Sequence, residues 1–479
     1  MVFSSLVFLT AFLPITVILY YSIPSILWKN TVLLIGSLLF YAWGEPKYVF
    51  LMMTSILVNY LVGIGIHQAK LNGKRGTALL TAGVLFNLGL LVYFKYFNFL
   101  TEIAIRFLHS TLTMREIVLP IGISFFTFQS MSYVIDVYRE KADDESSYVV
   151  QKNLLSLALY ISMFPQLIAG PIVRYHDIQP RLSNREHSFS QFARGIETFV
   201  IGLSKKVLIA NVLGDAATRI MEWDAASIGA ATAWVGAICY SLQLLYDFSG
   251  YSEMAIGLGR MFGFEFQINF NYPYISTSVS EFWRRWHISL SQWFRDYLYI
   301  PLGGSRRGNT YFHLFVVFLA TGLWHGAAFG FVLWGLWHGF FVILERWAKN
   351  RGLHIPAPKP VRWLCTMLVV LLGWTLFRIV GVRSTLHYYA VMFGLSRPEY
   401  IPYSLAWYIN NRTAAALAAA CLLCVPWKSI LQSRCPGVYA ILSQQPFVTA
   451  RRVLTLALLM ICILFVANST YNPFIYFRF

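Results

Sequence analysis

The pentapeptide Gly-Leu-Trp-His-Gly occurs twice in "GLWHGAAFGFVLWGLWHGFF", residues 322–341, once around His325 and again around His338. No Asp, Glu, Lys or Arg occurs from 311 to 344, so both histidines lie in a stretch apolar enough for a bilayer. A neutral imidazole can take a proton near physiological pH, and an apolar setting favours that neutral form. Glycine beside each ring leaves room for a substrate, and Trp324 beside His325 supplies an apolar wall. For any single intramembrane histidine the competing reading is a hydrogen bond between helices. Two identical surroundings thirteen residues apart weaken that reading. On one continuous helix this spacing puts the rings on roughly opposite sides, which disfavours a shared haem iron. A turn near Gly330 changes the geometry.

Four further clusters hold polar groups where the chain is otherwise apolar, and such groups tend to mark function. In "LPIGISFFTFQSMSYVIDVYRE", 119–140, Gln129, Tyr133 and Asp136 share a helical face; a polar face turned to water is the competing reading. In "MFPQLIAGPIVRYHDI", 163–178, Pro165 and Pro171 disturb helix hydrogen bonding, leaving Arg174 and His176 at a membrane edge. In "LLYDFSGYSEMAIGLGRMFGFEF", 244–266, Asp247 and Glu253 stand among glycines. Two carboxylates beside a spanning run need partners, expected among the arginines that follow, and the segment reads as re-entrant. In "NFNYPYISTSVSEFWRRWHISLSQWFRDYLYIPLGGSRRG", 269–308, Ser280 is the expected N-cap. The helix it opens is basic and aromatic and is expected to lie at the interface, with His287 in its middle.

Composition says what must position these residues. Hydrophobic residues make up 57% of the chain and charged residues 12%, against about 25% charged in ordinary soluble domains. Apolar runs able to cross hydrocarbon recur from end to end. The fold expected is all-α and polytopic, with roughly 11–13 membrane helices. Broken segments at 117–135 and 247–263 read as re-entrant, because irregular backbone at membrane depth survives only when enclosed. One domain is expected over 1–479, with core motifs at 117–345 and peripheral helices at 1–110 and 360–479.

Lys and Arg number 38 against 21 Asp and Glu. The excess gathers in short loops (70–75, 174–185, 284–307 and 346–362), which are expected to face the cytoplasm. No nucleic-acid motif accompanies the charge, so membrane lipids rather than nucleic acid are the expected partners. Cys421 and Cys424 have C-x-x-C spacing without a second ligand pair and read as packing residues. The run 5–23 lacks a basic leader and reads as the first spanning helix rather than a signal peptide.

Taken together, "MVFSS", "LPIGISFFTFQSMSYVIDVYR", "FPQLIAGPIVR", "YDFSGYSEMAIGLGRMFGF", "NFNYPYIS", "SEFWRRWHISLSQWFRDYLYIPLGG", the doubled Trp-His-Gly and the terminal "FIYFRF" resemble the membrane-bound O-acyltransferase (MBOAT) family, most nearly its bacterial branch serving alginate O-acetylation. The match runs through the whole chain and is weakest between 350 and 450. The resemblance implies helices around a central tunnel and transfer of an acyl group from a thioester to a hydroxyl or amine. The family's catalytic histidine matches His325, and its upstream polar position matches His287. His338, Trp324, Asp247 and Glu253 are given supporting roles.

The implied reaction moves acetyl from cytoplasmic acetyl-CoA across the bacterial cytoplasmic (inner) membrane. The acceptor is an extracytoplasmic polysaccharide, reached directly or through a periplasmic or extracellular SGNH-like acetyltransferase partner. Acetyl-CoA is a substrate, no cofactor is bound, and a thioester needs no metal to activate it. Arg284, Arg285, Arg295, Arg306 and Arg307 are candidates for the donor's phosphates, since guanidinium suits phosphate geometry; solvated interfacial charge is the competing reading. The alternatives are D-alanyl transfer to teichoic acid from a carrier protein, a glycan transporter or flippase, and a membrane platform that docks an enzyme.

Overall fold

The computed structural model describes residues 1–108, 117–140, 150–168, 170–223, 225–353, 356–379, 381–396, 398 and 400–468. The terminal "FIYFRF" block and Ala169 lie outside the described residues. Every regular element among the described residues is helical. Among the described residues, four helices are individually long and apolar enough to cross a membrane: Tyr48–Leu71, Thr77–Arg106, Lys359–Arg378 and Gln445–Asn468. A bent pair, Asn411–Leu423 with Trp427–Arg434, passes the same test as one unit. The other apolar runs form helices that are shorter or carry polar residues. Thr77–Arg106 is a single helical stretch of 30 residues.

The chain divides into two compact units, and each is built from its own contacts. The first comprises Met1–Ile196 and Ala255–Gln267. It contains α1 (Leu13–Ser22), α2 (Ile26–Ala42), α3 (Tyr48–Leu71), α4 (Thr77–Leu91), α5 (Ile123–Arg139), α6 (Leu154–Ser162) and α7 (Tyr175–Ser183). α5 packs on α3 and α4, and α6 packs on α2. α5 starts after Gly122, at φ +76, where an added Cβ would sit 2.7 Å from the Leu167 carbonyl; only glycine fits. Gln129, Tyr133 and Asp136 do share a face, but it turns inward: all three are buried. Asp136 meets His176 Nδ1 at 3.0 Å. This overturns a water-facing role, because buried polar groups need partners and Asp136 has one.

The second unit comprises Glu197–Met254 and Ile268–Phe479. It contains α8 (Asn211–Met221), α9 (Ala230–Met261), α10 (Val279–Arg285), α11 (Ile288–Phe294), α12 (Thr310–His325), α13 (Phe329–Asn350) and α14 (Lys359–Arg378), the final turns of α9 being counted with the first unit. The segment expected to be re-entrant at 247–263 is instead largely continuous helix within α9. Glycine weakens a helix interior by about 1 kcal/mol but does not break it. Here Gly250 admits a neighbour: a Cβ there would lie 2.7 Å from the Gly202 carbonyl and 3.2 Å from Lys206 N.

Candidate active site

α12 opens on an Asn309 cap, whose side-chain oxygen accepts from Tyr311 N at 2.9 Å and Phe312 N at 3.3 Å. It ends at His325, because Gly326 is extended (φ −173°, ψ 159°) and α13 begins at Phe329. The chain therefore reverses at 326–328, four residues before the expected Gly330 at its first residue, and the two helices pack as an antiparallel hairpin. Close packing needs glycine on both sides. A Cβ on Gly322 would lie 3.2 Å from Gly335 Cα and 2.5 Å from the Phe331 carbonyl. Small residues let apolar helices approach in this way.

The hairpin explains the repeat. His325 sits at a helix end, with its ring centroid 4.9 Å from Trp334, 5.0 Å from Trp324 and 5.4 Å from Phe377. His338 sits inside α13, 5.2 Å from Trp334, 5.3 Å from Trp283 and 6.0 Å from Trp374. Trp334 thus contacts both imidazoles. His338 is fully buried, and neither ring nitrogen has a hydrogen-bond partner among the described residues.

His287 does not lie in the middle of an interfacial helix. The chain breaks there: α10 ends at Arg285, α11 starts at Ile288, and His287 takes left-handed backbone angles (φ 43°, ψ 54°). That conformation costs a non-glycine residue about 1–2 kcal/mol, offset here by backbone pairing on both sides. Asn271 N donates to Arg285 O at 2.9 Å, and Ile288 N donates to Asn269 O at 3.0 Å. The cap of α10 is Ser278, whose hydroxyl accepts from Glu281 N, not Ser280. Ser280 N instead donates to Glu345, which also takes Val279 N, so a carboxylate from α13 covers the helix start. The break turns the His287 ring inward, fully buried, with its centroid 6.4 Å from that of His325 and 5.8 Å from that of Trp324.

Asn269 fixes the chemistry of that ring. Its Oδ1 accepts from Ser289 N at 3.2 Å, from Ser289 Oγ at 2.9 Å and from His287 Nδ1 at 3.1 Å. A backbone N–H can only donate, so the amide atom at this point is oxygen, and His287 Nδ1 carries the proton. In the neutral ring Nε2 is then the lone-pair nitrogen; it is buried without a partner among the described residues. The Asn269 amide donates to Ser252 Oγ at 3.2 Å on α9.

The carboxylates meet lysines that precede them in the chain. Asp247 meets Lys206 Nζ at 2.6 Å, both side chains 2% exposed, and Glu253 meets Lys205 Nζ at 2.5 Å. The Gly202–Gly250 approach brings the chain before α8 against α9 and sets these two lysines opposite the acids. α9 presents Phe248 to His287 at 4.6 Å.

The five arginines separate. Arg284 and Arg295 line one cavity of about 250 Å³ with Trp283, Ser291 and Thr321. Arg285 pairs with Glu281 at 3.0 Å and lines a different cavity of about 830 Å³ with Lys359. Arg306 and Arg307 lie on an exposed turn. Sequence reasoning missed Asn269, Phe248, Trp334 and Phe377. Asn269, an amide opening the aromatic "NFNYPY" block, carried a signal; the rings were indistinguishable from other core aromatics.

A profile of the membrane-bound O-acyltransferase family matches residues 77–386. Over the full length of both chains the sequence is 39% identical to a Pseudomonas putida protein named a probable alginate O-acetylase, AlgI. A peptidoglycan O-acetyltransferase of Helicobacter pylori is 35% identical, over 83% of this chain and 80% of its own. A teichoic acid D-alanyltransferase of Bacillus subtilis is 30% identical, over 48% of this chain and 60% of its own.

Proposed function

The chain belongs to the membrane-bound O-acyltransferase family and is a multi-pass membrane acyltransferase; from that premise we propose that it O-acetylates a polysaccharide outside the bacterial cytoplasmic membrane. Acetyl-CoA is the donor, and alginate or a related exopolysaccharide is the acceptor class, reached directly or through an extracytoplasmic acetyltransferase partner. Two kinds of relative support the acetyl group and the glycan: one named for alginate, one for peptidoglycan. The observation that carries the reading is the meeting of two buried imidazoles, His325 and His287, 6.4 Å apart between centroids, in an aromatic enclosure.

His325 acts as general base. An acceptor hydroxyl attacks the thioester carbonyl and gives its proton to the imidazole; the C–S bond then breaks, and the proton passes to the departing thiolate. His287, with Nδ1–H held by Asn269, offers Nε2 as an acceptor. It therefore orients a hydroxyl; polarising the carbonyl requires the doubly protonated ring. Arg284 and Arg295, sharing a cavity beside Trp283, hold the donor's phosphates. Asp247 and Glu253 support α9 through their lysines. The test is turnover by the purified chain in proteoliposomes with acetyl-labelled coenzyme A. Label appearing as base-labile ester on added glycan supports direct transfer, and thioester loss that needs an added partner supports relay. Transport of glycan without any thioester consumption refutes the reading.

A further inference from the structure

A second polar cluster, built wholly within the first unit, is not used by acyl transfer. Tyr20 of α1 donates its hydroxyl proton to the Phe262 carbonyl at 2.7 Å and meets His187 Nε2 at 2.8 Å. With its single proton so placed, the phenol oxygen accepts from His187 Nε2–H. Gly263, at φ +81, keeps this approach open, since a Cβ there would lie 3.1 Å from His187 Nε2.

Arg185 is 8% exposed. Its Nη2 donates to Asn30 Oδ1 at 2.6 Å and the guanidinium is within reach of the Tyr20 hydroxyl, while the buried Nε and Nη1 have no acceptor at full bonding geometry among the described residues. The guanidinium lies 4.4 Å from the Phe264 ring centroid and 5.9 Å from that of Tyr20. Lys29, on α2, is 9% exposed; its Nζ lies 5.4 Å from the Tyr20 centroid and 5.6 Å from that of Tyr21. Neither Lys29 nor Arg185 forms an ion pair among the described residues. The acids next in sequence to Arg185 and Phe264 are engaged elsewhere or face out: Glu265 is 62% exposed and binds Arg181, and Glu186 is exposed.

Burying charge without a counter-charge is costly, and aromatic faces return only part of that cost. Two buried cations and a histidine around one tyrosine therefore make a socket for an anion. A carboxylate offers one charge and two oxygens. A phosphate group offers one charge as a phosphodiester and up to two as the free ion, with more oxygens in a tetrahedral array, which better match two cations and the guanidinium donors. We propose that Lys29, Arg185 and His187 form a phosphate-binding site, filled by the headgroup of an anionic phospholipid or by free phosphate. Burial first, and then Lys29 and Arg185, hold the His187 imidazole below the usual histidine range. A phosphodiester keeps its charge as His187 gains a proton and opposes both cations, so headgroup binding tightens as pH falls.

The test uses full-length protein, delipidated in neutral detergent and followed by native mass spectrometry and thermal unfolding. It is titrated separately with phosphatidylglycerol, phosphatidylcholine and inorganic phosphate. Phosphatidylglycerol or inorganic phosphate should bind and raise the unfolding midpoint, phosphatidylcholine should not, and Arg185→Gln should weaken binding at least tenfold. Protection by phosphatidylglycerol alone identifies the lipid headgroup, and protection by inorganic phosphate identifies the free anion; both support the site. Absence of binding, equal protection by phosphatidylcholine, or undiminished binding in the variant overturns it. If Arg185→Gln does not fold, Lys29→Gln carries the same test, because the Lys29 side chain makes no ion pair whose loss would disturb the fold.

Discussion

Replacing Asn269 with Ala isolates what holds His287. The change removes one oxygen that accepts three bonds: His287 Nδ1 at 3.1 Å, Ser289 N at 3.2 Å and Ser289 Oγ at 2.9 Å. At about 1 kcal/mol net for each, the fold loses about 3 kcal/mol. The bond to His287 has a second effect. Its loss leaves a buried donor unpaired, worth about 1–3 kcal/mol, and frees the ring to turn or change tautomer. If that energy falls on the transition state, turnover drops about five- to 150-fold. Asn269→Asp keeps an oxygen acceptor in place and should recover part of both losses. The assay pairs thermal unfolding with acetyl-thioester turnover on each purified variant. An Asn269→Ala protein that is destabilised yet turns over at the wild-type rate refutes the positioning argument, as does a folded Asn269→Asp that is as slow as Ala.

Four other outcomes follow from the structure. Lys206→Met removes the cation of a fully buried pair, which costs about 3–5 kcal/mol; membrane abundance should fall, and Lys206→Met with Asp247→Leu should restore it. Gly335→Ala drives a Cβ into the Phe318 carbonyl and to 3.0 Å from Gly322 Cα; such overpacking costs about 1–3 kcal/mol, read as a lower unfolding midpoint with slower turnover. Gly89→Ala, facing open space in α4, should instead be neutral or stabilising in the same measurement. For His187, burial and then Lys29 and Arg185 lower the folded pKa. The fold favours the neutral ring, so this contribution is complete above the unfolded value of about 6.5 and declines as pH drops below it. Unfolding in phosphate-free neutral detergent should show that slope, and His187→Gln should remove it.

The helical membrane character could be read from composition because hydropathy is a sum over residues and needs no geometry. His325 stood out for a related reason: an ionisable group within an uncharged run is visible without knowing where the run bends. What failed was whatever depends on a bend. Two residues of extended backbone around Gly326 convert opposite faces of one helix into facing sides of a hairpin. One left-handed residue moves His287 from an expected interface into the core. Partner choice failed likewise: Asp247 and Glu253 looked forward to nearby arginines, but the Gly202–Gly250 approach supplies lysines from behind. Asn269 acts through residues eighteen and twenty positions later, a distance that local pattern does not span.

The most direct measurement replaces His325 and His338 separately with Ala in the native host and quantifies O-acetyl groups on its surface polysaccharide. Each variant is first shown to be present in the membrane at the wild-type level. Loss of acetylation in His325→Ala, with substantial acetylation retained in His338→Ala, is the expected result, because only His325 stands beside His287. Full acetylation in His325→Ala contradicts the assignment of the general base and with it the proposed mechanism.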